Sequence, residues 1–425
     1  MNIRIGDRSY GVKSYIKNFD KVLLGLIAVL LVFSMLCINS ATYGSDAHSR
    51  SMIVQGVAIG LGFVLMIIVS KLDYDIISDL WKYIVVASSA ALFLTALIAP
   101  EINGNRNWLM IGSVNIQTSE FTKICFAVTM SKHLAKLGED LNKPKNILFV
   151  LIHFLAYLVP ILLQGDIGTA LIYIGIFVVL VFAAGIYYRY ILIGALGVAG
   201  ITPLLWNMMK DYQKLRILYG FQPELDPLGK GYQPLVSRMA IGSGQLWGLG
   251  YQKGIQAQNS LLPEIRTDFI YAIVGEEWGF VGCVFVLLVL VTIVLLIFRN
   301  ARKAKDQKGF FICIAVASTI MFQTLINIGM CIGVLPVIGV TLPFFSYGGS
   351  SMIAFTVLLL RRLIRSCPFD FRRSCSGSLR EARPFAQIRN EVNAEKTFET
   401  ARLFGRSHLQ NFNNKRRGVL FECRA

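Results

Sequence analysis

A succession of long apolar segments constrains the fold of this chain more than any other feature. Most of them reach the ~20 residues that a helix needs to cross ~30 Å of hydrocarbon. Backbone polar groups in lipid must be satisfied within the segment, so these segments predict helices. Because only 16% of residues are charged and 55% are hydrophobic, the chain is predicted to be an all-α polytopic membrane protein. Ten segments lie near 21–40, 51–70, 77–99, 116–134, 146–164, 167–185, 190–206, 269–298, 310–334 and 341–360.

Lys and Arg are distributed unevenly between the loops, and this predicts the orientation. The alternate loops 41–50, 101–115 and 335–349 hold at most one basic residue each. The positive-inside rule therefore places both termini in the cytoplasm and the large loop 207–268, before the eighth span, outside. The regions rich in Lys and Arg are 1–20, 132–145, 299–308 and the C-terminal tail.

The chain is predicted to have three regions. A cytoplasmic segment, 1–20, precedes a transmembrane domain, 21–360, and a basic tail, 361–425, that has 15 Lys or Arg and 6 Asp or Glu. The tail lacks heptads and apolar periodicity, so it is predicted to be mostly disordered. Nucleic acid is one partner for such a tail, but after ten spans anionic membrane lipid is favoured. The tenth span is short, because nine residues separate Ser351 from Arg361.

Several classes of site are disfavoured by the motifs. No Walker A sequence is present, which argues against an ATP-driven pump within this chain. The eight cysteines include no CxxC pair, and five of them lie in apolar runs, so they are interpreted as free thiols and core residues. The histidines, at 48, 133, 153 and 408, are too scattered to predict a metal site.

Charged residues inside predicted spans are costly and usually functional. Glu120 and Lys123, three residues apart, share a helical face, and a structural ion pair and a substrate site are equally good interpretations. Asp166 lies in the short external turn before the sixth span, where a helix N-cap is the alternative to a substrate contact. Glu276 and Glu277 lie in the eighth span, where burial favours their neutral forms unless they are paired.

Three residues lie at predicted outer boundaries of the membrane. Asp268 is the last charge before the eighth span, where a carboxylate can ionise in a neighbourhood of falling dielectric. Arg106 could pair with phosphate, and Trp108 could be an interfacial anchor. With Glu120, Lys123 and Asp166, these residues predict a site in the outer half of the membrane. Its cations suit a pyrophosphate and its carboxylate suits deprotonation of a hydroxyl, as in a transferase that uses a lipid-pyrophosphate donor.

At these residues the chain resembles the SEDS family, the RodA/FtsW group of cell-wall polymerases, over residues 20–360. Four motifs in the family's order carry the resemblance: QTSEFTK at 117–123, DIGTA at 166–170, LPEIRTDFI at 262–270 and LPFFSYGGSS at 342–351. VLPVIG at 334–339 and GIQAQ at 254–258 are more similar to the RodA branch, with an FtsW-like division role as the alternative.

The resemblance implies a peptidoglycan glycosyltransferase of the bacterial cytoplasmic (inner) membrane that polymerises lipid II outside. Asp268 would be the general base, and the substrate-binding residues would be Arg106, Trp108, Glu120, Lys123 and Asp166. No cofactor is implied with certainty, since a lone carboxylate could also hold a divalent cation, Mg²⁺ or Mn²⁺. The implied partners are a class B penicillin-binding transpeptidase and the elongation or division complex, with no nucleic acid.

Departures from the family pattern leave alternatives open. Thr118 and Gly165 replace prolines, and Arg266 replaces a histidine two residues before Asp268. A guanidinium there is expected to lower the carboxylate's pKa and weaken it as a base, or to bind phosphate. A lipid II flippase is one rival function, because intramembrane charges also suit a translocation path. A scaffold that recruits the transpeptidase is another.

Overall fold

The computed structural model shows a multi-pass helical membrane protein. The chain divides into two units, 1–369 and 370–425. The whole second unit lies outside the described residues. So do residues 1–19 of the predicted cytoplasmic segment 1–20 and all of the predicted tail 361–425. The structure describes residues 20–45, 48–71, 78–102, 104–111, 114–208, 211–258, 262, 264–304 and 306–358.

In the described residues up to 208, the chain forms seven α-helices and a β-hairpin. The hairpin pairs β1 and β2 antiparallel, with Trp108 opposite Gln117, and it is a small addition to the predicted all-α fold. The elements are α1 Lys21–Thr42, α2 His48–Lys71, α3 Trp81–Ile98, β1 Trp108–Ile111, β2 Val114–Gln117, α4 Thr118–Leu137, α5 Pro144–Leu163, α6 Ile167–Ala183 and α7 Tyr188–Met208.

Six helices follow. Three of them, α8, α9 and the short α10, lie within the predicted external loop 207–268. The bounds are α8 Asp211–Phe221, α9 Tyr232–Ser243, α10 Ile255–Gln258, α11 Ile270–Ala301, α12 Gln307–Cys331 and α13 Gly349–Leu358.

Each predicted apolar segment contains a helix, and in the described part of the chain six helices are long and apolar enough to cross a membrane. The six are α1, α2 to Ile68, α3, α5, α11 and α12. The tenth segment was predicted too long: α13 begins at Gly349, and residues 341–348 form an irregular loop. The reason is visible in that loop, where the Ser346 hydroxyl accepts from the Leu342 N–H and Phe344 has a positive φ.

The core is centred on α12, the most deeply buried of the six long helices. It packs against α4, α6 and α11, while α2 packs against α13. Lipid-facing side chains such as Leu288 and Leu295 on α11 stay exposed, because hydrocarbon solvates them. Polar atoms on the inner faces of the helices are thereby collected into the interior of the bundle.

A break in α11 positions the loop 207–268, which was predicted to be external. Gly279 has φ +64°, and a Cβ there would lie 2.4 Å from the Gly248 backbone nitrogen. The loop takes up hydrogen bonds at the break: the N–H of Leu249 donates to Glu276 O at 2.9 Å, and that of Phe280 donates to Gln245 O at 2.8 Å. The GxxxG motif formed with Gly275 therefore packs against α9 and the 242–250 loop.

Candidate active site

Asp268 lies in a tight turn, 264–269, directly before α11. The turn is organised by the Glu264 carbonyl, which accepts from the backbone N–H groups of Thr267 and Asp268 at 3.1 Å each. The backbone of Glu264 has φ +56°, which residues other than glycine rarely adopt. Its carboxylate accepts a hydrogen bond from the Thr267 hydroxyl at 2.9 Å. The Asp268 side chain is half-buried, so a reactive carboxylate at this turn is partly shielded from water.

The loop 335–348 approaches Asp268 from the opposite side. A Cβ on Gly339 would lie 3.5 Å from Asp268 Oδ2, so this glycine faces the carboxylate. The side chain of Asn327, fully buried in α12, joins the two segments: its Nδ2 donates to Asp268 O at 2.8 Å and to Val340 O at 2.6 Å.

Arg266 holds the same two segments together on another side. Its guanidinium donates to the Ser51 hydroxyl of α2 at 2.9 Å and lies 5.4 Å from the centre of the Tyr347 ring. Its carbonyl accepts from the Tyr347 N–H at 2.8 Å. The replacement of the family's histidine thus gives this chain a cation–π contact and a link to α2. The expected effect of this cation on Asp268 stays a prediction.

Asp166 is buried and caps α6, the alternative that the sequence offered for it. Its Oδ1 accepts from the Thr169 N–H at 2.9 Å. Its Oδ2 accepts from the Thr169 hydroxyl at 2.9 Å, from Asn107 Nδ2 at 2.7 Å and from Gln117 Nε2 at 3.2 Å. A carboxylate can accept this many donors because both of its oxygens carry lone pairs. Asp166 therefore joins the hairpin to the start of α6.

The start of α6 and the turn of Asp268 contact the same short strip, 338–340. A Cβ on Gly168 would lie 2.6 Å from Ile338 O, so the first turn of α6 packs directly on the strip's backbone. Asp268 faces Gly339 from the other side. The structure thus brings two of the predicted site regions together through the loop that precedes the fourth motif.

Glu120 and Lys123 form a buried ion pair in the first turns of α4. Lys123 Nζ lies 2.7 Å from Glu120 Oε1, and their side chains are 1% and 6% exposed. Burying two charges is expensive unless further groups satisfy them. Neither Glu120 Oε2 nor the neighbouring Ser119 hydroxyl has a hydrogen-bond partner in the ranges that the structure describes. The pair is therefore buried and has unused acceptor capacity, and both the structural ion pair and the substrate site stay open as interpretations.

Arg106 and Trp108 lie in the external segment that leads into β1. The Arg106 guanidinium is half-exposed and pairs with Glu101 at 3.3 Å, an interaction that contributes little at a surface. Its backbone N–H donates to Gln164 O at 2.8 Å, which attaches this segment to the end of α5. Trp108, half-buried, opens the hairpin. The predicted contact between the Arg106 guanidinium and a phosphate would require it to leave only the exposed carboxylate of Glu101.

Glu276 and Glu277 are buried in α11, and their carboxylates accept hydrogen bonds from neighbouring segments. Glu276 Oε1 accepts from the Gln256 N–H at 2.8 Å. Glu277 Oε1 accepts from the Ser40 hydroxyl at the end of α1. These contacts assign both carboxyl groups to the packing of α1, α10 and α11.

Two fully buried amides at the site, Asn327 and Gln55, were not predicted from the sequence. Gln55 of α2 donates through Nε2 to Ser346 O at 3.4 Å and accepts the Gly348 N–H at 3.2 Å. The sequence does contain a signal for them, because an amide within an apolar span is costly unless it has a hydrogen-bond partner.

A divalent cation at Asp268 would need ligands from outside the protein. In the part of the chain that the structure describes, no three His, Cys, Asp or Glu side chains converge. Mg²⁺ is commonly held by one or two carboxylates, with water and substrate phosphates completing its shell. Asp268 alone fits that pattern, and the general-base and cation-binding roles of this carboxylate both stay open.

Comparison with known proteins agrees with this arrangement. The profile of the FtsW, RodA and SpoVE group, described as cell cycle protein, matches residues 18–364. The chain belongs to the FtsW/RodA/SpoVE family. This match includes α1–α13, and so every site residue considered above.

Curated members of the FtsW/RodA/SpoVE family are similar over most of their length. The peptidoglycan glycosyltransferase MrdB of Escherichia coli K12 is 33% identical over 344 residues, 79% of this chain and 90% of that protein. The probable peptidoglycan glycosyltransferase FtsW of Pseudoalteromonas translucida is 32% identical over 358 residues, 81% and 89% of the two chains. Stage V sporulation protein E of Bacillus subtilis is 32% identical over 343 residues, 78% and 93%.

Solved structures show the same family fold. One, described as "Structural coordination of polymerization and crosslinking by a peptidoglycan synthase complex", is 29% identical with a TM-score of 0.70 and covers 81% of this chain and 96% of its own. The crystal structure of the rod shape determining protein RodA of Thermus thermophilus is 26% identical with a TM-score of 0.61 and covers 81% and 95%.

Proposed function

We propose that this protein is a peptidoglycan glycosyltransferase that polymerises lipid II into glycan strands at the outer face of the bacterial cytoplasmic membrane. The observation that carries the proposal is the position of Asp268, a half-buried residue in the hydrogen-bonded turn directly before α11. Family membership and relatives named peptidoglycan glycosyltransferase support the same activity.

The proposed reaction needs one base and one group that stabilises the leaving pyrophosphate. Asp268 takes the proton from the GlcNAc 4-hydroxyl of the acceptor, and that oxygen forms a bond to the MurNAc anomeric carbon of the donor. The bond from that carbon to undecaprenyl pyrophosphate breaks, with inversion, and the pyrophosphate leaves with its negative charge. Partial exclusion of water from Asp268 favours the transfer because electrostatic interactions strengthen as the dielectric falls.

Cations near the outer boundary suit the leaving group. Arg106 is half-exposed and has only a surface ion pair with Glu101 to give up, so its planar guanidinium can bind two phosphate oxygens. Lys123 is buried with Glu120, and it would reach the pyrophosphate only where the substrate enters the bundle. Trp108, at the start of the hairpin, would pack at the mouth of this cavity.

We infer a role in cell elongation, with a class B penicillin-binding transpeptidase as the partner. The RodA-type loop sequences at 334–339 and 254–258 support this role, as does the similarity to a solved RodA. A similar chain whose structure is described as part of a peptidoglycan synthase complex supports an external partner. An FtsW-like role in division is the alternative, because an FtsW relative is almost equally similar.

The test is a reconstitution that separates bond formation from lipid movement. Purified protein in liposomes receives labelled lipid II in the outer leaflet, with and without the cognate transpeptidase, and the products are measured alongside transbilayer transfer. Polymer is the expected product. Transfer across the bilayer without polymer would identify a transporter and contradict the proposal, and partner binding without either activity would identify a scaffold.

A further inference from the structure

Asn327 joins two irregular segments that lie far apart in the sequence, the turn 264–269 and the loop 335–348. Its Nδ2 carries two hydrogens, and both are used: one goes to Asp268 O at 2.8 Å and the other to Val340 O at 2.6 Å. The first carbonyl belongs to the turn 264–269 and the second to the loop 335–348. One rigid amide group therefore fixes the distance between these two carbonyls.

Burial makes this connection strict. Asn327 is fully buried in α12, and its hydrogen bond to Val340 O is buried, so that carbonyl would have no water to replace a lost donor. Its hydrogen bond to Asp268 O is partly buried. Cys331 Sγ also donates to Asp268 O, at 3.6 Å, and a thiol is a weak donor. Of these two side chains, Asn327 makes the stronger hydrogen bond to the backbone of Asp268.

The geometry connects that backbone to the carboxylate. Asp268 Oδ2 faces Gly339, the residue directly before Val340. The Asn327 amide therefore binds the backbone on both sides of the space between the carboxylate and the loop. A displacement of either carbonyl changes the position of the carboxylate relative to this loop. General-base catalysis depends on such positions, because the base must lie within hydrogen-bond reach of the proton it removes.

We propose that Asn327 is a positioning residue that holds the carboxylate of Asp268 in its reactive place against the loop 335–348. This inference rests on the proposed function for its kinetic consequence, while the structural coupling can be measured without any activity. Loss of the amide slows formation of the glycosidic bond and leaves lipid II affinity nearly unchanged, because Asn327 lies behind the backbone of Asp268.

The experiment compares Asn327→Ala with Ser318→Ala. Ser318 is a matched control, since it is also fully buried in α12 but donates only to Ile314 O of its own helix. For Asn327→Ala the expected kcat for lipid II polymerisation is about 10–100-fold below wild type, with KM changed by less than about twofold. Ser318→Ala is expected to keep both constants. Equal kcat in Asn327→Ala and wild type would overturn the inference.

Amide hydrogen exchange gives the readout that does not depend on activity. In Asn327→Ala, peptides covering 264–270 and 335–345 are expected to exchange faster together, with no change in Ser318→Ala. If the wild type makes no polymer, the proposed function fails, but faster exchange in both segments still supports the coupling. Unchanged exchange in either segment overturns it.

A second variant covers the case in which Asn327→Ala does not fold. Asn327→Asp keeps the shape of the side chain but, when ionised, offers no hydrogen to either carbonyl. A folded Asn327→Asp protein with reduced kcat and retained KM supports positioning. If both variants fail to fold, Asn327 serves folding alone and the inference is wrong.

Discussion

Gly339 faces Asp268 across a gap in which one methyl group would touch the carboxylate. A Cβ built on Gly339 lies 3.5 Å from Asp268 Oδ2, and the residue has φ +68°. Glycine therefore meets two requirements at position 339. It adopts a positive φ that other residues avoid, and without a side chain it leaves the space next to the Asp268 carboxylate open. An acceptor sugar that approaches Asp268 would pass this face.

Gly339→Ala is expected to impair polymerisation more than it impairs stability. The positive φ costs about 1–2 kcal/mol for alanine, and the methyl group narrows the space before Asp268. Gly185→Ala is the control, because Gly185 has φ +83° with no described atom within 4 Å of its added Cβ. Both variants should lower the apparent Tm by similar amounts in detergent. Equal polymerisation rates for the two variants would contradict the assignment of this face to the substrate.

Asp166→Asn is expected to lower the free energy of unfolding by about 1–3 kcal/mol. Whichever way the new amide is turned, its NH₂ group meets donors: Thr169 on one side, or Asn107 and Gln117 on the other. Asp306→Asn is the control, since Asp306 caps α12 by accepting from Gly309 at 2.9 Å, a role that asparagine also fills. A thermal shift for Asp166→Asn no larger than that of the control would show that the four-donor arrangement contributes little.

Gly279→Ala is expected to be severely destabilising, by about 2–4 kcal/mol. The added Cβ would lie 2.4 Å from the Gly248 nitrogen, and φ +64° is unfavourable for alanine. Gly25→Ala in α1 is the control, because the structure describes nothing within 4 Å of its Cβ. Thermal unfolding of both variants in the same detergent measures the difference. A stable Gly279→Ala protein would mean that the 242–250 loop can leave the break in α11.

Asp20, at the N-terminus of α1, predicts a dependence of stability on pH. Partial burial would raise the pKa of Asp20, but hydrogen bonds from Asn300 and the Leu23 N–H and the charge of Arg299 outweigh it, so the pKa is lowered. A carboxylate with a lowered pKa stabilises the folded state above its unfolded pKa and loses this contribution as pH falls through the folded pKa. The difference in apparent Tm between wild type and Asp20→Asn should therefore shrink as the pH falls below about 5. A constant difference would show that the charge of Asp20 is not involved.

The sequence predicted the helices because each span must satisfy its own backbone, and apolar length alone then identifies it. The start of α13 was missed because the Ser346 hydroxyl and the Gln55 amide satisfy the backbone of 341–348 without a helix. Apolar composition cannot reveal such side-chain hydrogen bonds. The hairpin was missed for a similar reason, since Asp166 holds its end from a distant segment.

Charged site residues in or beside apolar segments could be predicted from the sequence. A buried amide in a span was harder to predict. Asp268, Glu120 and Lys123 stood out as charges in or beside apolar runs, whereas Asn327 resembled an ordinary polar residue of a span. Its importance depends on two carbonyls that lie 59 and 13 residues away in sequence. Only the folded chain brings these groups together.

In the proposed mechanism, the carboxylate of Asp268 is the base for glycosidic bond formation. The most direct measurement is the single-turnover rate of that bond with lipid II already bound, for wild type, Asp268→Asn and Glu224→Gln. Glu224 is an exposed external carboxylate paired with Arg238, and its variant should react like wild type. For Asp268→Asn we expect the rate to fall about 100–10,000-fold with lipid II still bound. A rate for Asp268→Asn equal to that of wild type would contradict the account.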